Sequence, residues 1–116
     1  MPAELRFQKS KKLKTDDISS VFNFKHHENG EFLRFLFKPN QLQTARLAVI
    51  VSRKIARQAV ERNYCKRIIR ELFRVRQHKS GSIELVVQVR KKFSQLQFKK
   101  VAGEFDLLLA KISKRY

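Results

Sequence analysis

Residues 46–76, RLAVIVSRKIARQAVERNYCKRIIRELFRVR, decide the fold because their pattern changes from that of a strand to that of a helix. Over residues 46–52 apolar side chains fall on both faces of a strand, with Leu47 and Val49 on one face and their neighbours on the other. From about residue 59 to residue 77 the apolar residues recur with the period of a helix. A strand followed by a long amphipathic helix predicts a domain in which helices cover a small sheet.

The helix predicted over residues 59–77 has one basic face. Successive residues lie about 100° apart around a helix, which places six polar residues within an arc of about 140°. These residues are Arg62, Asn63, Lys66, Arg67, Arg70 and Arg74. Like charges four residues apart destabilise an isolated helix by roughly a few tenths of a kcal/mol per pair. A partner that neutralises them is therefore favoured over a face that is merely solvated.

The rest of the chain predicts one α+β domain spanning residues 1–116. Its elements, in chain order, are a basic flexible arm over 1–14, a helix over 16–24, a turn at 26–30, a strand over 31–38, the strand and helix described above, a strand over 83–89, and a helix that Ser94 caps. The last helix has an apolar stripe formed by Leu96, Val101, Phe105, Leu108, Leu109 and Ile112. Because a short polar loop joins the first two strands, we expect them to pair antiparallel. The order α-β-β-α-β-α describes a sandwich with a small central sheet.

The charge of the chain restricts its partners. Lys and Arg number 27 against 10 Asp and Glu, which gives a formal net charge of +17. Phosphate backbones neutralise such a surface and release bound cations. An anionic membrane is the rival partner, but it would call for a cationic amphipathic anchor or a lipidation site, which the sequence does not clearly offer. The charge therefore favours a nucleic acid over a membrane as the partner. The longest apolar run, Leu47 to Val51, is far too short to span a bilayer. Together with the single cysteine, this indicates a reducing, cytoplasmic location with no membrane.

Three features do not predict chemistry carried by the protein itself. His26 and His27 are weak evidence for a metal site because no patterned third ligand follows them, so an exposed turn is favoured. Cys65 lies on the apolar side of the helix, which favours a buried, unreactive thiol. The ten acidic residues are scattered, so the chain alone is not expected to cut RNA through a two-metal site.

The motifs in this region are similar to those of a known family. The chain has Arg46–Lys54 as a strand ending in Val-Ser-Arg-Lys, then Ala-Val-Glu-Arg-Asn at 59–63, Lys-Arg at 66–67 and Arg-Glu at 70–71. This series resembles the signature of the bacterial ribonuclease P protein component. The resemblance implies a ribosomal protein S5 domain 2-like fold with a left-handed βαβ crossover. The family usually has Gly at the positions of Ala48 and Ala56, and often an aromatic residue where Ile18 stands.

The resemblance also implies a function. In the family the catalyst is an RNA subunit with its magnesium ions, and the protein alone binds no cofactor. The protein binds that RNA and the single-stranded 5′ leader of precursor tRNA, so that the complex removes the leader and generates the mature tRNA 5′ end. The implied partners are thus RNA, and no DNA partner is expected. The alternative is a general RNA-binding or ribosomal structural protein with no part in an enzyme.

Two sets of site residues follow from the resemblance. The residues implied to face the RNA subunit are Arg57, Arg62, Asn63, Lys66, Arg67, Arg70 and Arg74. The residues implied to line the leader-binding cleft are Ile18, Phe22, Phe35, Ala48, Ile50, Ser52, Arg53, Lys54 and Arg90. A cleft of this composition suits an unpaired strand, because aromatic faces stack on bases and cations follow the backbone.

Overall fold

The computed structural model describes residues 15–40 and 44–114. Its elements are α1 (Thr15–Phe24), β1 (His26–Asn29), β2 (Leu33–Pro39), β3 (Arg46–Ile50), α2 (Ala59–Ser80), β4 (Ile83–Val89), a 3₁₀ turn (Gln95–Gln97) and α3 (Phe98–Ser113). The helices and strands predicted from the sequence are all present, and β1 is added to them. The predicted arm over residues 1–14 lies outside the described residues.

The four strands form one mixed sheet in the order β1-β2-β4-β3. Strands β1 and β2 pair antiparallel, as do β2 and β4, whereas β3 and β4 are parallel. The two strands that were predicted to pair antiparallel are β2 and β3, and this prediction is wrong because β4 lies between them. Strand β4 is buried at six of its seven positions, and such a strand takes a central place with a partner on each side. The hand of the β3-α2-β4 crossover stays an expectation from the resemblance.

Strand β1 occupies the segment that was predicted to be a turn. It pairs along β2 from His26 opposite Phe37 to Asn29 opposite Arg34. The His26 ring lies 4.5 Å from the ring of Phe24 and 5.8 Å from that of Phe37, centroid to centroid. These ring contacts hold the polar segment against the sheet. The chain therefore reverses only after Asn29, and not from His26 onward as predicted.

Helix α2 begins at Ala59, as its sequence pattern predicts, because a capping box precedes it. The backbone N–H of Gln58 donates to the Glu61 carboxylate at 3.3 Å, and the Gln58 side chain faces the backbone of Glu61 in return. The hydrogen bond from Lys92 and that from the Gln58 backbone lower the pKa of Glu61. The helix runs to Ser80, three residues beyond its predicted end, and Gly81 follows it with a φ of 73° that favours glycine.

The main core lies between one face of the sheet and helices α2 and α3. Phe35 of β2 and Phe105 of α3 meet there edge to face, with ring centroids 5.0 Å apart. The predicted apolar stripe of the last helix is buried except at Leu96, which is 92 % exposed. The stripe begins later than predicted because Ser94 caps the 3₁₀ turn that precedes α3, accepting a hydrogen bond from the Leu96 backbone.

Helix α1 covers part of the opposite face of the sheet. A second, smaller cluster joins Val21 of α1 to Leu36 and Val86 of the sheet. The Lys38 ammonium donates to the Ser20 hydroxyl at 2.6 Å, and Arg46 bridges Asp17 at 3.3 Å and Glu84. Polar contacts at one end therefore fix α1 across the sheet. Within the described residues, no helix has the length and apolar content needed to cross a membrane.

Candidate nucleic-acid interface

Arg62 organises the loop between β3 and α2. Its guanidinium Nη1 donates to the carbonyl oxygens of Ala56 at 3.0 Å and Arg57 at 2.8 Å. The backbone N–H of Ala56 donates in turn to the carbonyl of Ser52 at 3.0 Å. Arg62 is half-buried by these contacts, so its guanidinium is not held freely outward as the charge pattern alone suggests.

Ala56 fits this loop without backbone strain. Among the described non-glycine residues, a positive φ occurs only at Lys25. Ala56 therefore has the ordinary negative φ that its side chain requires, although the family usually has Gly there. The methyl group is fully buried against the main core, so this departure from the family pattern is accommodated by packing.

The outer face of α2 presents four of the six polar residues predicted there. Asn63 and Arg67 are exposed, and Lys66 and Arg70 are half-buried. None of these cations forms a salt bridge with another described residue. The Arg67 guanidinium lies 5.6 Å from the centroid of the Tyr64 ring, which orients it along the helix surface. This face therefore keeps its positive charge available to a polyanion.

Arg74 does not belong to this face. It is 6 % exposed and forms an ion pair with Glu71, three residues earlier on α2. That hydrogen bond lowers the pKa of Glu71 and raises the pKa of Arg74. The expectation that Arg74 projects outward with the other cations is wrong, because its side chain turns back along the helix to a carboxylate. On the other side of the helix Val75 is 42 % exposed, so the apolar side is narrower than predicted.

Several of the predicted cleft residues lie together beside α1, on the face of the sheet opposite the main core. Ile18 of α1 packs with Ala48 and Ile50 of β3 in the smaller cluster, and all three are partly buried. Phe22, one turn along α1 from Ile18, is 37 % exposed. The structure therefore brings together these four predicted cleft residues. Three others, Ser52, Arg53 and Lys54, follow β3 directly and are exposed.

Phe35 is the exception among the predicted cleft residues. It is fully buried in the main core, on the face of the sheet away from α1. Side chains alternate along a strand, so the residue of β2 that faces the cleft is its neighbour Leu36. The segment 33–37 is apolar on both faces except at Arg34, so the sequence did not indicate which face of β2 lies toward α1.

Two polar residues of the sheet, Arg34 and Gln88, were not predicted to belong to the site. Arg34 of β2 pairs in register with Gln88 of β4, and Gln88 in turn lies beside Ile50 of β3. Both polar side chains are half-buried, and the Nε atom of Arg34 is buried without a hydrogen-bond partner. An arginine within an otherwise apolar strand is the sequence signal that points to this position.

Arg90 lies just beyond β4 and is held against the β1–β2 turn. Its Nη1 donates to the carbonyl of Gly30 at 2.8 Å. The same turn is fixed from α3 by Glu104, whose carboxylate accepts the backbone N–H groups of Glu31, Phe32 and Leu33 at 2.7, 2.9 and 2.7 Å. A side chain at Gly30 would collide with that carboxylate, since an added Cβ would lie 2.4 Å from it.

The described residues contain no group of three or more His, Cys, Asp or Glu side chains placed to hold a metal ion. Cys65 is fully buried, and its thiol lies 3.7 Å from the carbonyl oxygen of Phe93. Desolvation raises the pKa of this thiol. The predicted description of Cys65 as a buried thiol is confirmed.

A basic helix on one face of a mixed sheet, with the predicted cleft residues on the other face, is the arrangement of a small α+β nucleic-acid-binding protein. The sequence matches the Ribonuclease P family over residues 7–113. The chain belongs to this family, as the motifs in residues 46–71 indicated. Ribonuclease P is an endoribonuclease that acts on tRNA precursors, and members of this family are its protein component.

Curated relatives agree with this assignment over most of their length. The chain is 34 % identical over 110 residues to the ribonuclease P protein component of Chromobacterium violaceum, covering 94 % of this chain and 91 % of the relative. It is 32 % identical over 112 residues to that of Photobacterium profundum, covering 96 % and 95 %. A solved structure of the Staphylococcus aureus RNase P protein superposes with a TM-score of 0.76 at 27 % identity, covering 90 % of this chain and 98 % of that one.

Proposed function

We propose that the protein binds the catalytic RNA subunit of ribonuclease P through α2 and the 5′ leader of precursor tRNA through the cleft. In this proposal the RNA and its magnesium ions carry out the cleavage, and the protein positions the substrate. Asn63, Lys66, Arg67 and Arg70 contact the RNA subunit directly, and Arg57 and the half-buried Arg62 complete this surface. Phosphate oxygens accept hydrogen bonds from arginine in pairs, and this suits guanidinium groups on a rigid helix.

The observation that carries the proposal is the placement of the two surfaces on opposite faces of one sheet. Helix α2 packs on the face that holds the main core, while Ile18 and Ile50 lie on the other face. The loop over residues 52–58 connects them, and Arg62 fixes that loop to α2. A protein docked on RNA by α2 therefore presents its cleft away from the docking surface, where a substrate strand has room to lie.

Apolar and polar groups meet in the cleft as a single strand requires. Phe22 and Ile50 offer surfaces on which bases stack, and the exposed Arg53 and Lys54 at the end of β3 neutralise phosphates. Arg34 adds a cation within the sheet. Such a surface reads an unpaired strand by stacking and charge, so we expect it to accept leaders of varied sequence.

A processing assay tests the proposal. The purified chain is added to the RNA subunit and a precursor tRNA at a low magnesium concentration, where we expect the RNA alone to cleave slowly and the chain to restore cleavage. Affinity for precursor tRNA is then compared with affinity for mature tRNA, both in complex with the RNA subunit at one salt concentration. A general RNA-binding protein would give no preference for the substrate that carries a leader.

Two variants separate the surfaces. Arg67→Ala is expected to weaken binding of the RNA subunit, and Ile50→Ser is expected to reduce the preference for leader-bearing tRNA while RNA-subunit binding stays. Lys111→Ala, which removes an exposed cation in the last turn of α3, is the matched control and should change neither. Equal losses from Arg67→Ala and Lys111→Ala would show that only total charge matters, which would contradict the assignment to α2.

A further inference from the structure

A second concave surface, the α2–α3 groove, lies between the start of α2 and the segment that leads into α3. It has two adjoining parts of about 450 and 480 Å³, each within the range of about 300–1,000 Å³ that is typical of small-molecule sites. Its walls include Val60, Tyr64 and Ile68 from α2, with Phe93, Gln95 and Phe98 opposite. Tyr64 and Gln95 line both parts, so they mark the centre of the groove.

The groove exposes apolar surface that the fold does not use. Val60 is 70 % exposed and Phe98 is 40 % exposed, although both are large apolar residues. The Tyr64 ring meets the buried Phe93 ring edge to face at 6.3 Å, which fixes its orientation. An exposed apolar strip with an aromatic ring held at its centre is a surface to which a flat, partly apolar ligand binds.

The charges around the groove favour an anionic ligand. Arg67 and Lys99 border one part, and Lys92 borders the other. Glu61 is the one acidic residue among the described lining residues, and Lys92 pairs with it at 2.8 Å. The net charge at the rim is therefore positive, which favours an anionic ligand over a neutral or cationic one.

The groove is also continuous with the basic face of α2. Arg67 belongs to both surfaces, since it lines the groove and projects from the helix beside Asn63. The guanidinium lies against the Tyr64 ring at 5.6 Å, so a phosphate bound by Arg67 is held next to that ring. A nucleotide attached to such a phosphate reaches the groove if its base is unpaired.

We propose that the α2–α3 groove holds an unpaired nucleotide of the RNA that docks on α2, with its base against Tyr64. This inference rests on the proposed function, because the same RNA must first bind the basic face. The carboxamide of Gln95 offers both a donor and an acceptor to the edge of the base. The leader-binding cleft is not involved, since it lies on the opposite face of the sheet.

The first test compares a variant that removes the ring, Tyr64→Ala, with one that removes a charge, Arg67→Ala. Tyr64→Ala is expected to weaken affinity for the RNA subunit roughly 5- to 100-fold, as loss of one stacked base does. The dependence of affinity on salt should not change, because the ring neutralises no phosphate. Arg67→Ala should instead reduce the salt dependence by about one phosphate contact. Tyr64→Phe keeps the ring and should bind like the original chain.

Val60→Ser guards against the possibility that Tyr64→Ala disturbs the fold. Val60 is 70 % exposed near the start of α2, so the change removes apolar surface from the groove and leaves the core intact. It is expected to weaken RNA binding by roughly 3-fold or more, in line with partial loss of a stacking surface. Unfolding by urea should occur at the same concentration as for the original chain.

The second test reports on Tyr64 directly. The chain has two tyrosines and no tryptophan, so in a Tyr116→Phe variant the tyrosine emission comes from Tyr64 alone. Stacking on a base should quench that emission when the RNA subunit is added. If the RNA binds with its usual salt dependence while the emission and the Tyr64→Ala affinity are unchanged, the groove inference is overturned and the proposed function stands. If no RNA binds, both are overturned.

Discussion

Arg62 and Arg67 lie five residues apart on α2, and their substitution by alanine should have different effects on stability. Arg62 donates from its guanidinium to two loop carbonyls at 3.0 and 2.8 Å. A hydrogen bond from a charged group contributes about 1.5–3 kcal/mol, and less where water reaches it. We therefore expect Arg62→Ala to lower the free energy of unfolding by about 2 kcal/mol. Arg67 is exposed, and its contact with the Tyr64 ring contributes only about 0.5–1 kcal/mol.

The two variants should have the same effect on the salt dependence of RNA binding. Each removes one cation from the surface that contacts RNA, so each should reduce the salt dependence of affinity by about one phosphate contact. Arg62→Lys keeps the charge but lacks the planar fork, so it should restore the salt dependence and only part of the stability. Urea unfolding followed by circular dichroism gives the free energy of unfolding, and affinity titrations at several salt concentrations give the salt dependence of RNA binding.

The assigned role of Arg62 fails if Arg62→Ala and Arg67→Ala lower the free energy of unfolding equally. Equal values would mean that the bonds from Arg62 to Ala56 and Arg57 contribute nothing beyond a solvated charge. It also fails if Arg62→Ala loses stability but keeps the original salt dependence, since Arg62 would then be a purely structural residue. The distinction matters because total stability is only about 5–15 kcal/mol for a domain of this kind.

Three further predictions concern other parts of the fold. Glu104→Ala leaves three backbone N–H groups without their carboxylate and should lower the free energy of unfolding by about 3 kcal/mol. Glu31→Gln removes an exposed charge at the same turn and should change that free energy by less than about 0.5 kcal/mol. Urea unfolding measures both values. Phe35→Ala should cost about 3–5 kcal/mol because its ring is fully buried, while Phe22→Ala should change stability by less than about 1 kcal/mol and weaken the binding of leader-bearing tRNA. Burial raises the pKa of the Cys65 thiol, so the folded chain should react slowly with a thiol reagent at pH 8 and rapidly once unfolded. The free energy of unfolding should fall as the pH rises above the ordinary thiol pKa, because the thiol ionises first in the unfolded state.

Local periodicity was sufficient to predict most of the elements. Helix α2 begins at the predicted residue, β4 has its predicted bounds, and the two faces of β3 divide as the alternation of its side chains indicates. Each of these depends on contacts close in the chain or on one repeated pattern. Such patterns specify which side of an element is buried. They do not specify which element covers it.

The pairing of strands was not predictable in the same way. Whether β2 pairs with β3 or with β4 depends on residues about fifty positions apart, and the short loop before β3 favoured the wrong partner. Strand β1 was missed for a related reason. Its sequence, HHEN, is polar, and it becomes a strand because β2 offers it an edge and because Phe24 and Phe37 enclose His26.

The charge pattern of α2 located the basic surface but did not separate its members. Six residues shared one arc in the sequence, yet in the structure Arg62 is bound to the loop, Arg74 to Glu71, and Arg67 to an aromatic ring. A helical wheel records the direction in which a side chain leaves the backbone. A long arginine side chain then bends toward an acceptor several ångströms away, so its final contacts depend on neighbours that the wheel does not include.

The bonds made by Arg62 connect the two proposed RNA-binding surfaces. The loop over residues 52–58 begins just beyond β3, at Ser52, which is a predicted cleft residue, and ends at Gln58, where α2 starts. Arg62 binds the middle of this loop, so a shift of its guanidinium toward an RNA phosphate would also move the carbonyls of Ala56 and Arg57. The loop carries Arg53 and Lys54, which we place at the mouth of the cleft. In the proposed function, Arg62 thus links the surface that docks on the RNA subunit to the cations Arg53 and Lys54 at the other surface.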